Sequence, residues 1–194
     1  MTHVILLAAG SSRRFGGNKL LAPWRGRPLY RYGLHTLAAV CAARADAALL
    51  VVTNTPAIAQ AAAACGARAV PSPHSAQGQS ASIRAGLDAA GPLAPGDFLL
   101  FAVADQPLLR AATVHRLLDL AVPGTWGATA ACGGRVGSPA LFCAALAPQL
   151  YALGGDCGGR AVLNARPQAV LRVACEAEEL WDIDRPGDGT PPAG

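Results

Sequence analysis

The sequence predicts an α/β domain of three layers, built on a mostly parallel, doubly wound sheet with a mixed C-terminal part. Two observations carry that reading. Apolar runs alternate with Ala-rich helical segments in a βαβαβαβα rhythm as far as residue 121, and the rhythm changes after Gly124. The 194 residues suit one compact domain, and 52% hydrophobic against 14% charged residues supplies a core. That balance excludes a disordered chain and a coiled coil.

Taken in order, His3 to Ala8 is a continuous apolar run, as a strand buried on both faces would be. Pro28 opens a predicted helix to about Ala43, because proline suits a helix's first position. Ala48 to Thr53 reads as a strand and Pro56 to Cys65 as a helix that Gly66 caps. A short strand near Ala67 to Val70 precedes a helix over about Ser80 to Ala90. Asp97 opens FLLFAVAD, a strand ending at Asp105, and a helix follows over about Ala111 to Ala121. WGATAACGGRVGSPALF then reads as two strands round a Gly-Gly turn, a hairpin or mixed-sheet edge. A helix near Cys143 to Ala152, the loop GGDCGGR, a short helix to Ala165 and a strand about Val170 to Val173 complete the order. One domain is expected over residues 1–188, with a frayed Gly/Pro-rich tail over 189–194.

More than a fifth of the residues are Ala, which favours helices packed closely on a sheet. The net charge of +4 is mild and the Arg residues are scattered, so neither a nucleic-acid nor a membrane partner is expected. Six Cys lie apart with no CxxC, which reads as free thiols in a reducing compartment. The apolar N-terminal run is too short for a membrane span and has no basic segment before it, so the expected location is the cytoplasm. Fifteen Arg stand against a single Lys, Lys19. Its compact ammonium behaves unlike a planar guanidinium beside a phosphate.

In an open α/β sheet, ligands bind beyond the carboxyl ends of the strands. The loop LAAGSSRRFGGNK, after the first strand, has small residues whose N–H groups can approach an anion, with Arg13, Arg14 and Lys19 for charge. It is neither GxGxxG nor GxxxxGK[ST], which disfavours a dinucleotide oxidoreductase and a Walker-type NTPase. Asp105, ending a buried strand, suits a hard cation such as Mg²⁺, or else caps the next helix. Asp182 and Asp184, one residue apart in a strand, would share a face, with Ile183 on the other.

Together, LAAGSSRRFGGNKLL (7–21), QSASIRAGL (79–87), ADQP (104–107), GSPALF (137–142), GGDCGGR (154–160) and DIDRPGD (182–188) resemble the MobA-like nucleotidyltransferases, nearest to the molybdenum cofactor cytidylyltransferases. The resemblance runs nearly end to end and implies the three-layer Rossmann-like nucleotidyltransferase fold. It implies that Ala8, Ala9 and Gly10 meet base and ribose through backbone groups, that Arg14 and Lys19 hold the triphosphate, and that Ser11 and Ser82 touch the nucleotide. Arg14, Lys19 and Asp105 would be the catalytic set, with Asp105 and Asp184 on Mg²⁺ and Asp156 and Arg160 facing the acceptor. The implied reaction is attack by a terminal phosphate oxygen of molybdopterin on the α-phosphorus of CTP, or of another NTP, releasing pyrophosphate. A molybdoenzyme or its chaperone would then be a transient partner. Ser138 stands where these enzymes tend to have His, Gly159 where Ala is commoner and Ala104 where Gly is usual. The alternatives are transfer to another phosphorylated acceptor, such as a sugar phosphate, or a non-catalytic nucleotide-binding protein that delivers a cofactor.

Overall fold

A computed structural model describes residues 1–10 and 17–185. The chain runs β1 (Thr2–Leu7), β2 (Pro23–Trp24), β3 (Arg27–Pro28), α1 (Tyr30–Ala42), β4 (Ala47–Val52), α2 (Pro56–Ala64), β5 (Arg68–Val70) and α3 (Gln79–Ala90). There follow β6 (Phe98–Val103), α4 (Ala111–Asp119), β7 (Gly127–Cys132), β8 (Arg135–Cys143), α5 (Ala147–Tyr151), α6 (Arg160–Asn164) and β9 (Val170–Ala174). Seven strands form one sheet in the order β5-β4-β1-β6-β8-β7-β9. β8 alone runs antiparallel to its neighbours, so the sheet is mostly parallel with a mixed C-terminal part.

The central strands are apolar on both faces because both faces are covered. Val4 and Leu6 of β1, Leu49 and Val51 of β4, and Leu100 of β6 pack into one core with α1, α2 and α4. Their alternates Ile5, Leu7, Leu50, Val52 and Leu99 pack into the other with α3, α5 and α6. A period of two thus persists inside runs that look uniform. The second layer sits close: a Cβ on Gly86 of α3 would come within 2.7 Å of Ile5 Cγ2.

The sheet departs from the predicted elements in places with a clear local cause. Pro28 does not open α1; it pairs with Pro23 in a two-residue ribbon, turned by Arg25 (φ 45°) and Gly26 (φ 83°), and α1 starts at Tyr30. Cys143 belongs to β8, where it pairs with Phe98, so the helical segment begins after it. Gly133 and Gly134 form the predicted turn, both at positive φ, but the hairpin lies inside the sheet and β9 takes the edge. Asp182 and Asp184 lie in an extended segment without a ladder partner, though Ile183 is buried as alternation required. The predicted tail, residues 189–194, lies outside the described residues. The six Cys are free, and among the described residues no helix is long and apolar enough to cross a membrane.

Because the Gly86 gap is closed by Ile5, Gly86→Val forces α3 away from β1. Overpacking of this kind costs about 1–3 kcal/mol, and equilibrium denaturation should show a loss of that size.

Candidate active site

The strand order reverses at β1: the chain first proceeds outward through β4 and β5, then returns to place β6 on the other side of β1. Such a switch point opens a crevice at the carboxyl ends of the two flanking strands. Gly10 follows β1 there and Asp105 follows β6.

Lys19 reaches this crevice from a 3₁₀ turn, Lys19–Leu21. Asn18 caps the turn by accepting from the Leu20 N–H at 3.1 Å, while its amide donates to Thr55 Oγ1 at 2.9 Å. Buried Leu20 anchors the turn in the core. The Lys19 ammonium donates to Asp105 Oδ2 at 2.7 Å, to the Ile183 carbonyl at 2.9 Å and to Asp184 Oδ1 at 3.1 Å. Burial alone would lower the ammonium's pKa; Asp105 and Asp184 reverse that and hold it above the ordinary lysine value. The Ile183 N–H donates to the Asp105 carbonyl at 3.1 Å, which ties the last segment to the end of β6. Glu179 secures that segment further: it is buried and accepts from the Arg110 and Glu176 N–H groups, both at 3.0 Å.

Asp105 is not a helix cap, since α4 begins at Ala111 with Arg110 before it. Its Oδ1 is buried with no hydrogen-bond partner. A carboxylate oxygen kept dry and unmatched beside a second carboxylate suits a hard cation. No group of three metal-type side chains gathers among the described residues. Mg²⁺ nevertheless needs only one or two protein carboxylates when phosphate oxygens and waters complete its shell, and Asp105 with Asp184 fits that demand. The Asp182 carboxyl is pushed up to about 6, by loss of surrounding water first and by Asp105 next.

Two cavities open along the crevice. One, of about 650 Å³, brings together Ala9, Gly10, Lys19, Ser82, Asp105 and Asp184, with Asp156 on its wall. The other, of about 660 Å³, lies under the β7–β8 hairpin and has Arg160 in its lining. Leu7, Gln79, Val103 and Asp182 line both, so the two are neighbours across a shared wall.

Several expected positions change. Ala8 lines neither cavity: it is buried in the core and its N–H donates to Val52 at 2.8 Å. Asp156 and Arg160 do not face one site; Asp156 lines the Lys19 cavity and Arg160 the hairpin cavity, where it donates to the Val136 carbonyl at 3.3 Å. The loop is divided by a backbone contact, since a Cβ on Gly78 (φ 113°) would lie 2.3 Å from the Gly155 carbonyl carbon. Gly159 has its own cause: a Cβ there would strike Phe142 Cζ at 2.8 Å. Lys19 is no solvated loop residue, its side chain being 14% exposed. Ser11, Arg13 and Arg14 lie outside the described residues. Gln79 and Gln106 line the site without having been singled out, although both stand inside quoted motifs.

The family described as MobA-like NTP transferase domain matches residues 4–170. Nicotine blue oxidoreductase from Paenarthrobacter nicotinovorans is 31% identical over 189 residues, covering 93% of this chain and 90% of that protein. Among solved structures, Rv0371c from Mycobacterium tuberculosis superposes with a TM-score of 0.73 at 26% identity, covering 95% of this chain and 92% of that one. The same protein in complex with manganese gives 0.66 at 25% identity over 90% and 87% of the two chains. A nucleotidyl transferase from Methanothermobacter thermautotroptrophicus gives 0.76 at 25% identity over 95% and 92%.

Removing the ammonium leaves Asp105 and Asp184 facing one another in a partly dry site. Lys19→Met should therefore lower stability by about 1–3 kcal/mol, less than a fully buried pair because Asp184 is exposed. Urea unfolding of the two proteins at neutral pH checks this.

Proposed function

The chain belongs to the MobA-like NTP transferase family, and on that premise we propose that it transfers CMP from CTP to the terminal phosphate of a molybdopterin-type acceptor, releasing pyrophosphate. One observation carries this reading: Lys19, Asp105 and Asp184 meet in one of two cavities that share a wall, which leaves room for one substrate in each. Ala9 and Gly10 present small side chains and backbone groups to the nucleotide, as the resemblance to CTP-using transferases implies. Ser82, whose hydroxyl lies 3.4 Å from that of Ser72, stands on the same wall. Arg14 and Lys19 supply positive charge for the triphosphate, Lys19 through a flexible stem that lets the ammonium leave the carboxylates.

Asp105 and Asp184 would hold Mg²⁺, the manganese complex of Rv0371c being the supporting parallel. Bound there, the cation supplies charge neutralisation for the transferring and leaving phosphates. No protein nucleophile is needed, because the acceptor's own phosphate oxygen attacks in line and pyrophosphate leaves. The chain's part is positioning and fixed positive charge, the dominant contributions in phosphoryl chemistry. Arg135 and Arg160 line the hairpin cavity and suit an anionic acceptor. The reaction belongs to the cytoplasm, where the free thiols stay reduced.

A second reading has a specific basis, the 31% identity to a protein named as an oxidoreductase. The first loop lacks the GxGxxG of dinucleotide sites, which weighs against it. The two part in one experiment. Purified protein with Mg²⁺ and molybdopterin should release pyrophosphate from CTP in preference to GTP, and should consume no reduced nicotinamide. Asp105→Asn should cut that turnover by about a hundredfold or more. A preference for GTP would overturn the cytidylyl assignment, and nicotinamide oxidation without pyrophosphate release would overturn transfer altogether.

A further inference from the structure

Two cysteines face each other at the edge of the sheet. β7 and β9 run parallel and in register as far as Ala131 and Ala174. The Cys175 N–H donates to the Ala131 carbonyl at 2.9 Å, which carries the ladder one residue further and sets Cys175 opposite Cys132. Register partners turn their side chains to the same face, and neighbouring strands lie about 4.8 Å apart. That spacing is within the Cα separation of about 4.4–6.8 Å that a disulfide spans. The two thiols also interact: burial first, then Glu179 and Cys132, push the Cys175 thiol up to about 11. Both residues are partly exposed. The other four cysteines are placed differently, with Cys41 inside α1, Cys65 at the end of α2, Cys143 opposite Phe98 and Cys157 in a loop.

We propose that Cys132 and Cys175 form a site of reversible oxidation, closing to an intramolecular disulfide by exchange with a small-molecule disulfide of the glutathione type. The Cys132 thiolate attacks one sulfur of the glutathione disulfide; that S–S bond breaks, a mixed disulfide forms on Cys132, and one glutathione thiolate leaves. Cys175 then gives its proton to solvent and attacks the Cys132 sulfur, which releases the second glutathione. Two protein thiols are oxidised and one glutathione disulfide is reduced to two thiols. Cys132 reacts first, because the Cys175 thiol stays protonated at neutral pH. The second step is intramolecular, and proximity offsets the low thiolate fraction there. In a reducing compartment the pair stays open, and it closes when the glutathione pool is oxidised. Cys132 immediately precedes the Gly133-Gly134 turn, and Cys175 precedes Glu176, which caps the turn leading into the segment that carries Asp184 to Lys19. The disulfide therefore ties the hairpin to the root of that segment. The inference does not depend on the nucleotide or the acceptor proposed above.

The test treats the folded full chain with oxidised glutathione at neutral pH, blocks the remaining thiols and maps the tryptic peptides without reductant. Trypsin cuts after Arg116 and Arg135 on either side of Cys132, and after Arg172 ahead of Cys175, so each falls in a peptide with no other cysteine. The expected product joins these two peptides, with two of the six free thiols lost and both restored by dithiothreitol. In Cys175→Ser the exchange should stop at the mixed disulfide, with glutathione held on Cys132. If that variant does not fold, the wild-type map decides the matter. A wild type in which Cys132 stays reduced, keeps glutathione or joins another cysteine would overturn the proposal. So would a linked peptide that forms only in urea, or a folded Cys175→Ser protein whose Cys132 takes up no glutathione.

Discussion

A single ammonium joins three parts of the chain that are far apart in sequence. Lys19 meets a carboxylate 86 residues away at the end of β6 and another 165 residues away in the last segment. Two carboxylates in a partly dry crevice repel one another unless a cation lies between them. The protein provides its one lysine for the purpose. An ammonium is compact enough to serve two carboxylates and the Ile183 carbonyl from one point, whereas a guanidinium needs a planar face. The same charge arrangement that closes the site over Lys19 is the arrangement a divalent cation and a triphosphate would occupy.

The sheet makes that meeting possible. β1 and β6 run side by side and in register from Thr2 and Phe98, so Gly10 and Asp105 emerge at the same end. α3 lies close on β1 because Gly86 has no side chain, and its first turn meets the Gly155 loop backbone to backbone, with the Ser80 N–H donating to the Gly155 carbonyl at 3.1 Å. That contact sets Asp156 on one side of the wall between the cavities and leaves Arg160 on the other. The hairpin of β7 and β8, locked into the sheet by β6, roofs the second cavity.

Much of this was legible in the sequence, for identifiable reasons. Uniform apolar runs such as His3–Ala8 announce strands covered on both faces, and Gly133-Gly134 announces a turn that needs positive φ. The loops bearing Gly10, Lys19, Asp105 and Asp184 could be placed at strand ends before their distances were known. The ion pair of Lys19 could not, because a contact across 86 residues leaves no local signal. Pro28 misled because its fixed φ suits a strand as well as a helix start. Asp156 and Arg160 stand only four positions apart, and nothing in GGDCGGR tells that a glycine contact parts them. Gln106 has no charge to attract notice. Only its burial and unmatched oxygen mark it.

On this reading the Lys19 ammonium and a divalent cation would contend for Asp105 and Asp184, and the nucleotide would decide between them by drawing the ammonium to its phosphates. Isothermal titration of Mn²⁺ into the protein, alone and with a non-hydrolysable CTP analogue, measures this directly once binding of Mn²⁺ to the free analogue is subtracted. Mn²⁺ alone should bind weakly and the analogue should tighten its binding by about tenfold or more, with the analogue's own affinity raised by the same factor, as linkage requires. Equal Mn²⁺ affinity in the two states would contradict it.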